Sequence, residues 1–216
     1  MKIILIGYPC SGKGTQAQFI SKKYQIPKIS TGDLLRKKIF NKKINSNKKI
    51  NDKIKSGKLV SDKIIISLIK KRLKKNDCLK GYVLDGFPRT LNQFKIMHLE
   101  KINIDFLIEI LVSKKNIFKR ALGRQIHIPS GRIYHNIYNP PLIKNKDDIT
   151  GEKLIIREDD TKKIIEKRLK EYEIFKKKIF KYCTKKKILK NLKYFTINGN
   201  KNLKKIKHSI QKILIK

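Results

Sequence analysis

The feature that most constrains the fold of this 216-residue chain is a glycine-rich segment, Gly7–Thr15, which joins two different patterns. It follows a short apolar run, Lys2–Ile6, and leads into helical spacing of apolar residues up to Tyr24. Glycines let a backbone approach a ligand closely, and the first turn of a helix offers N–H groups to an anion. The order strand, glycine-rich loop and helix predicts an α/β protein with a phosphate-binding loop (P-loop), in which Lys13 reaches the terminal phosphates.

The loop departs from the general pattern G-x-x-x-x-G-K-[ST] at its last position, because Gly14 follows Lys13 and the hydroxyl comes only at Thr15. In many such loops that hydroxyl binds magnesium. Asp85 ends another apolar run, and a carboxylate at a strand end can hold Mg²⁺, often through water. We therefore expect Mg²⁺ to depend on Asp85, water and the nucleotide more than on Thr15. The alternatives are a glycine-rich turn without a ligand and, for Asp85, an ordinary turn residue.

The rest of the chain alternates between strand-like and helix-like segments. After the first strand, the predicted strands are Pro27–Ser30, Gly81–Asp85, Ile104–Val112 and Tyr194–Ile197. The clearest amphipathic helices are Gly12–Tyr24, Ser61–Lys75, Thr90–Lys101, Lys114–Leu122 and Thr161–Lys187. Helices between strands favour parallel pairing, so the prediction is an α/β fold: a P-loop core with a five-stranded parallel sheet flanked by helices.

Two segments interrupt this alternation. The segment Asn41–Lys55 is polar and rich in Asn and Lys, which predicts a thinly anchored helical lobe. The segment Gly123–Thr161 combines Gly and Pro residues with short alternating pieces such as Arg132–His135, which indicate hairpins. A loop of this length inside a compact domain is usually functional, and it is often a lid.

Composition narrows the function classes. The net charge of +38 suggests nucleic-acid binding, but the lysines are spread along the chain and no RNA-binding motif interleaves aromatic residues with them. We expect weak, salt-sensitive, non-specific binding, and a nucleic-acid-binding protein remains the rival class.

No apolar run approaches the roughly 18 residues of a membrane helix, and no cleavage site follows the N-terminal run. The cysteines, Cys10, Cys78 and Cys183, are far apart, which fits a reducing cytoplasm.

Arginine is scarce in this lysine-rich chain, where it occurs at eight positions. A guanidinium binds phosphate or carboxylate with a planar fork, so each arginine suggests a place where lysine will not serve. We expect Arg72 to be a solvated cation, and Arg120 could bind nucleotide or pair with a carboxylate. The other six are expected to point into one cleft: Arg36, Arg89, Arg124, Arg132, Arg157 and Arg168. Such a cluster can offset the repulsion between two nucleotides, and it favours direct in-line phosphoryl transfer.

Eight motifs occur in order over nearly the whole chain: Gly7–Gln16, Ser30–Arg36, Gly57–Val60, Leu84–Thr90, Gly123–Arg124, Pro129–His135, Asn139–Pro141 and Asp147–Gly151. Together they resemble the bacterial, long-lid adenylate kinases of the nucleoside monophosphate kinase family. The chain departs from the family at Tyr8, Cys10, Ser11 and Gln125, and none of these departures removes a phosphate contact.

The resemblance implies three regions: a P-loop core at 1–29, 61–122 and 161–216, an AMP-binding lobe at 30–60, and a lid at 123–160. It implies ATP contacts from Cys10, Ser11, Gly12, Lys13, Gly14, Thr15, Arg124, Ile133, Tyr134 and Lys201. It implies AMP contacts, with Gln93 reading the adenine edge, from Thr31, Arg36, Lys58, Leu59, Val60, Gly86, Phe87, Pro88, Arg89, Gln93, Arg157 and Arg168. The implied catalytic groups are Lys13, Asp85, Arg89, Arg124, Arg157 and Arg168.

The resemblance also implies the reaction, which is reversible transfer from Mg-ATP to AMP giving two ADP, in the service of nucleotide homeostasis. It implies a cytoplasmic monomer with Mg²⁺ as cofactor and with no specific nucleic-acid or membrane partner.

In the lid, the positions that hold zinc in some relatives are His127, Ser130, Asp147 and Thr150. This set resembles the metal-free lid type, satisfied by hydrogen bonds and without structural zinc. The nearest rival is a kinase for UMP, CMP or GMP.

Overall fold

A parallel sheet of five strands forms the centre of the molecule. The computed structural model describes the backbone of residues 1–40, 52–53, 56–185 and 192–215, and the side chains of all of these except 36–40. In spatial order the strands are β2 (Lys28–Ser30), β3 (Tyr82–Asp85), β1 (Lys2–Gly7), β4 (Phe106–Leu111) and β7 (Lys193–Asn198). The predicted α/β fold with five parallel strands is confirmed.

Helices connect and flank these strands. They are α1 (Lys13–Tyr24), α2 (Thr31–Phe40), α3 (Asp62–Leu73), α4 (Leu91–Leu99), α5 (Lys114–Leu122), α6 (Lys162–Lys185) and α7 (Leu203–Leu214). The predicted helices agree with these bounds to within two residues at nearly every end, and an unpredicted 3₁₀ turn follows α3 at Asn76–Cys78. Most of the lobe predicted at Asn41–Lys55 lies outside the described residues. Within them, no helix has both the length and the apolar character needed to cross a bilayer.

Both faces of the sheet are covered, which explains why its inner strands read as continuous apolar runs. Side chains alternate between faces along β1, so Ile4 packs in one cluster and Ile3 and Leu5 in the other. The second cluster includes Ala17 and Ile20 of α1. Full burial of an isoleucine contributes about 1.5–3 kcal/mol, so this packing holds the start of the loop rigidly against the sheet.

The sheet brings the P-loop and Asp85 to one edge. Leu5 pairs with Asp85 in parallel register, and β1 continues two residues further to Gly7. The carboxyl ends of parallel strands share an edge, which is where ligands bind in open α/β sheets. At the end of the neighbouring β2, the hydroxyl of Ser30 accepts from the amide of Asp33 at 3.3 Å, which satisfies one N–H group at the start of α2.

The insertion after α5 forms a separate small sheet. Strands β5 (Arg124–His127) and β6 (Arg132–His135) pair antiparallel, with Arg124 opposite His135. A further bridge joins Ile126 to Ile155, so the returning chain also holds the hairpin. The hairpin predicted for this segment is confirmed.

Candidate active site

The loop after β1 has the geometry of an anion-binding turn. Gly7 has φ 144°, and a Cβ there would lie 2.7 Å from the carbonyl oxygen of Ile110, so no other residue fits. Cys10 also takes a left-handed conformation, with φ 59°. Helix α1 begins directly after the loop, so its first N–H groups face the space that the turn encloses.

Lys13 lies inside this turn. Its ammonium donates to the carbonyl oxygens of Gly7 at 2.8 Å and Tyr8 at 2.5 Å, and more weakly to the hydroxyl of Ser11 at 3.4 Å. Burial lowers the pKa of Lys13 from 10.5 to about 8, although the nearby carboxylate of Asp85 opposes the shift. The ammonium is thus held where a phosphate chain bound in the turn would meet it.

The arginines of the cleft are paired with two consecutive carboxylates. Arg157 donates to Asp159 from Nε at 2.8 Å and Nη2 at 2.5 Å, and Arg168 donates to the same carboxylate at 2.8 Å. Arg124 donates to Asp160 from Nε at 2.7 Å and Nη2 at 2.5 Å. Burial alone would raise the pKa of Asp159, but the charges of Arg157 and Arg168 lower it overall. Three guanidinium groups are therefore fixed side by side.

Arg89 and Arg120 are held by backbone oxygens instead. Nε of Arg89 donates to the carbonyl of Gly86 at 2.8 Å. Arg120 donates to the carbonyls of Ser11 at 3.3 Å and Gly199 at 2.7 Å. These contacts orient the two guanidinium groups, both of which line the larger cavity.

These groups surround a cavity of about 760 Å³. All ten residues expected to contact ATP line it. A smaller pocket of about 50 Å³ adjoins it and is lined by several residues expected to contact AMP: Thr31, Lys58, Leu59, Val60, Gly86, Arg89 and Gln93. Arg89, Arg157 and Arg168 belong to the walls of both spaces. The structure therefore places three guanidinium groups at the junction of two compartments.

Two of the residues expected to contact AMP do not line the smaller pocket. The side chain of Phe87 is 1% exposed and packs in the core, so it lines neither compartment. Pro88 lines the larger space rather than the smaller one. Gln93 does line the smaller pocket, and it is buried with its amide nitrogen donating to Asp62. The side chain of Arg36, on α2, lies outside the described residues.

Arg120, for which two roles were open, lines the cleft and donates to backbone carbonyls. Two other arginine predictions need correction. Arg132 does not enter the cleft, because its guanidinium forms two bonds to Asp147 within the lid, at 2.7 and 2.5 Å. Arg72 is not a solvated cation, because it donates twice to Asp77, at 2.7 and 2.6 Å.

The lid lies over the P-loop. A Cβ built on Gly14 would lie 3.4 Å from Cδ1 of Ile133, and one built on Gly131 would lie 3.6 Å from Oδ2 of Asp33. The β5–β6 hairpin thus covers the larger cavity from above and nearly touches the start of α2. A cover at this position limits the access of water, and charge contacts are stronger where water is scarce.

The four lid residues that resemble the metal-free type are joined by hydrogen bonds. His127 and Ser130 lie 2.8 Å apart, and the amide of Thr150 donates to Asp147 at 3.0 Å. Asp147 also accepts from Arg132 and from the hydroxyl of Tyr134 at 3.0 Å. These donors, with Arg132 the strongest, hold the pKa of the Asp147 carboxyl well below its usual range.

Sequence reasoning missed four residues of the cleft: Lys28, Asp33, Asp159 and Asp160. Asp159 and Asp160 carried a usable signal, because only 17 acidic residues occur in the chain and three of them follow Arg157 directly. Lys28 carried none, since it is one lysine among many. Its ammonium lies 3.5 Å from Oδ2 of Asp33, and both residues line the larger cavity.

Comparison with known proteins agrees with this geometry. The adenylate kinase family profile matches residues 5–188. The adenylate kinase of Buchnera aphidicola subsp. Schizaphis graminum is 50% identical over 214 residues, covering 99% of this chain and 100% of the relative. Those of Baumannia cicadellinicola and Photorhabdus laumondii are 48% and 45% identical over the same shares of each chain. The chain therefore belongs to the adenylate kinase family.

Proposed function

We propose that this cleft catalyses reversible phosphoryl transfer from Mg-ATP to AMP, giving two ADP. The observation that carries the proposal is the pair of compartments with Arg89, Arg157 and Arg168 in their common wall. Guanidinium groups in that position can bind phosphates of both nucleotides at once and offset their repulsion. One nucleotide alone would not need a second compartment behind the same arginines.

In this proposal ATP lies along the P-loop in the larger cavity, and AMP lies where that cavity meets the smaller pocket, which at about 50 Å³ forms only one wall of its site. The triphosphate lies in the P-loop, with Lys13 and Arg124 beside it, and Arg120 with the backbone near Lys201 lies further along the same cavity. AMP lies against Thr31, Lys58–Val60 and Gln93. The chain then divides into a core at 1–29, 61–122 and 161–216, an AMP lobe at 30–60 and a lid at 123–160.

The chemistry asks the protein for positioning and charge more than for covalent participation. Direct in-line attack of an AMP phosphate oxygen on the γ-phosphorus spreads negative charge over the transferred group, and the fixed arginines stabilise that charge. Carboxylates already hold Arg124, Arg157 and Arg168 in place, so little reorganisation is needed when phosphates arrive. The lid over Gly14 keeps water from replacing AMP as the acceptor.

Magnesium fits the residues beside the loop. Mg²⁺ prefers carboxylate oxygens, water and phosphate as ligands. Asp85 supplies a carboxylate whose Oδ2 lies 3.3 Å from a Cβ built on Gly14, and Asp33 lies on the same side of the cavity. Bound there, the ion would neutralise part of the phosphate charge. Gly14 itself has no hydroxyl to offer, so Asp85 is the residue that we assign to hold the ion through water.

The preference for AMP is the part of the proposal that rests most on one residue. The side chain of Gln93 lies in the wall of the smaller pocket, where its carbonyl accepts from the amide of Arg89 at 2.8 Å. An amide can donate and accept together, as the adenine edge requires. A base with a different edge, as in UMP, CMP or GMP, would leave polar atoms unpaired.

An assay of ADP formation from ATP with AMP, UMP, CMP and GMP in turn tests the function. We expect AMP to exceed the others by at least about 100-fold in kcat/KM, because unpaired buried polar groups are costly. Preference for another monophosphate would replace AMP in the proposal. Salt-dependent RNA binding without transfer to any monophosphate would favour the nucleic-acid class instead.

Three further properties complete the proposal. We place the enzyme in the cytoplasm, because its cysteines are unpaired thiols, as a reducing compartment maintains. We assign it a monomeric state, since both compartments are built from one chain. We assign it a lid without zinc, because the His127, Ser130, Asp147 and Thr150 side chains use their polar atoms on one another and on neighbours.

A further inference from the structure

Lys28, the first residue of β2, reaches from the sheet edge into the phosphate end of the cavity. Its side chain is 13% exposed, and its ammonium lies 3.5 Å from Oδ2 of Asp33. Among the described residues, only two other lysines line this cavity, Lys13 and Lys201. The position of Lys28 thus differs from that of the many lysines of this chain whose ammonium groups lie in solvent.

The surroundings of Gly14 show how close the Lys28 ammonium lies to Asp85, the residue assigned to Mg²⁺. A Cβ built on Gly14 would lie 3.3 Å from Oδ2 of Asp85 and 3.9 Å from Nζ of Lys28. In the general P-loop pattern this position carries the hydroxyl that binds Mg²⁺. In this chain the same point therefore lies close to both a carboxylate, that of Asp85, and an ammonium, that of Lys28 in its pair with Asp33.

We propose that Lys28 binds the ATP phosphates beside Asp85 and sets how strongly nucleotide binding depends on Mg²⁺. The inference rests on the proposed function, which places the triphosphate and the ion in this part of the cavity. A cation there attracts the phosphate chain and repels Mg²⁺, and both effects are enhanced under the lid, where the local dielectric is low. Lys28 therefore supports binding of metal-free ATP and narrows the advantage that Mg-ATP has over it.

The test is calorimetric measurement of ATP binding to the full chain, once with EDTA and once with saturating Mg²⁺. In Lys28→Gln we expect the Kd of metal-free ATP to rise about tenfold, the loss of one charge-assisted hydrogen bond. The Kd of Mg-ATP should change by less than about threefold, because relief of the repulsion offsets the lost contact. The ratio of the two constants is the quantity that a purely structural role would leave unchanged.

Two controls keep the outcome interpretable. Lys23→Gln removes the same charge from an exposed position on α1, and we expect both dissociation constants to stay within about twofold of wild type. Lys28→Arg restores a cation and is expected to recover most of the affinity for metal-free ATP. A general loss of folding in Lys28→Gln would appear as a lowered Tm, and the arginine variant then decides the question.

The possible failures are distinct. If wild type binds ATP but Lys28→Gln keeps an unchanged ratio, or Lys23→Gln changes it equally, the assignment of Lys28 is wrong and the proposed function stands. If wild type binds no ATP and transfers no phosphate to AMP, the proposed function falls and the inference falls with it.

Discussion

At the scale of single residues, the cleft is organised by which partner holds each cation. Asp159 and Asp160 hold three guanidinium groups, whereas backbone carbonyls hold Arg89, Arg120 and Lys13. A carboxylate fixes geometry strongly but cancels charge, and a carbonyl does the reverse. On the side next to α6, two carboxylates face three guanidinium groups, so the ion pairs fix the geometry and still leave positive charge to draw phosphates.

Replacing either Arg89 or Arg124 by alanine should lower turnover by about 10³–10⁵, as for arginines that stabilise transferred phosphoryl groups in other enzymes. Steady-state kinetics with ATP and AMP measure the effect. Arg72→Ala is the matched control, because that guanidinium binds Asp77 far from the cleft and its loss should leave kcat near wild type. A loss below about tenfold in kcat/KM would remove the arginine concerned from the mechanism.

Lys13 gives a pH-dependent prediction. Its pKa is lowered to about 8, chiefly by burial, so near pH 9 the amine is mostly neutral. Phosphates beside it favour the charged form, so ATP binding should take up a proton at about pH 9 and much less at about pH 7.5. Calorimetry in two buffers of different ionisation enthalpy measures the uptake.

The Lys13→Met variant should bind ATP without this uptake. Equal proton uptake at both pH values, or in both proteins, would contradict the assignment.

The lowered pKa of Lys13 also affects the stability of the fold. Between about pH 8 and 10.5 the unfolded chain binds the proton more strongly, so the contribution of Lys13 makes the free energy of unfolding rise with pH there.

At the scale of elements, the lid depends on one carboxylate. Asp147 is buried and accepts from Arg132, from Tyr134 and from the amides of Ile149 and Thr150. These donors come from β6 and from the turn that follows Asp147 itself. The carboxylate therefore takes the place of the apolar core that such a small sheet cannot build. The position of Ile133 over the P-loop follows from this anchoring.

Asp147→Asn should destabilise the lid selectively. The substitution leaves Arg132 without its carboxylate and weakens the contacts from the other donors, and we expect a cost of about 1–3 kcal/mol, because the 32% exposed Arg132 side chain is partly screened by solvent. Hydrogen exchange of the lid amides should therefore accelerate strongly, while exchange in β1 and β4 stays close to wild type. Asp148→Asn is the control, since that side chain is exposed and its amide keeps an oxygen for the Leu142 amide. Unchanged exchange in the lid of Asp147→Asn would show that the carboxylate is not its anchor.

The elements were predictable from sequence because their signals are local. The spacing of apolar residues and the positions of glycines located the P-loop, the strands and the hairpin within a few residues. The direction of a side chain does not depend on local sequence alone. Arg120 and Arg132 look alike in the sequence, yet Arg120 on α5 reaches the carbonyl of Ser11 in the cleft, whereas Arg132 binds Asp147 in the lid. Lys28 could not be found, because a chain with this many lysines gives no reason to single one out.

At the scale of the whole molecule, the net charge of +38 is carried mainly by the outer surface, because the charges of internal ion pairs cancel one another. Several of the 17 carboxylates are committed to internal pairs, among them Glu109, Asp147, Asp159 and Asp160. Glu109 is 1% exposed and accepts from Tyr172 at 2.9 Å and Tyr194 at 2.5 Å. The outer surface is therefore strongly positive, and an anionic nucleotide is attracted before it makes any contact.

This surface should steer nucleotides, so kcat/KM for ATP should fall several-fold between about 20 and 200 mM salt, while kcat changes little. Steady-state kinetics over this range, with Tm measured alongside to exclude unfolding, provide the measurement. A flat kcat/KM would mean that the positive charge does not contribute to encounter.

Asp159 and Asp160 already serve as counter-ions of the cleft arginines, so an incoming anion must compete with these two carboxylates. Arg124, Arg157 and Arg168 each carry an intramolecular counter-ion, held by paired or shared hydrogen bonds. Chloride has a single charge and no fork geometry, so it gains little by competing with a bidentate carboxylate. A polyphosphate offers several charges on one chain and can displace or share these partners. We therefore expect the cleft to prefer multiply charged phosphates to small anions present at much higher concentration.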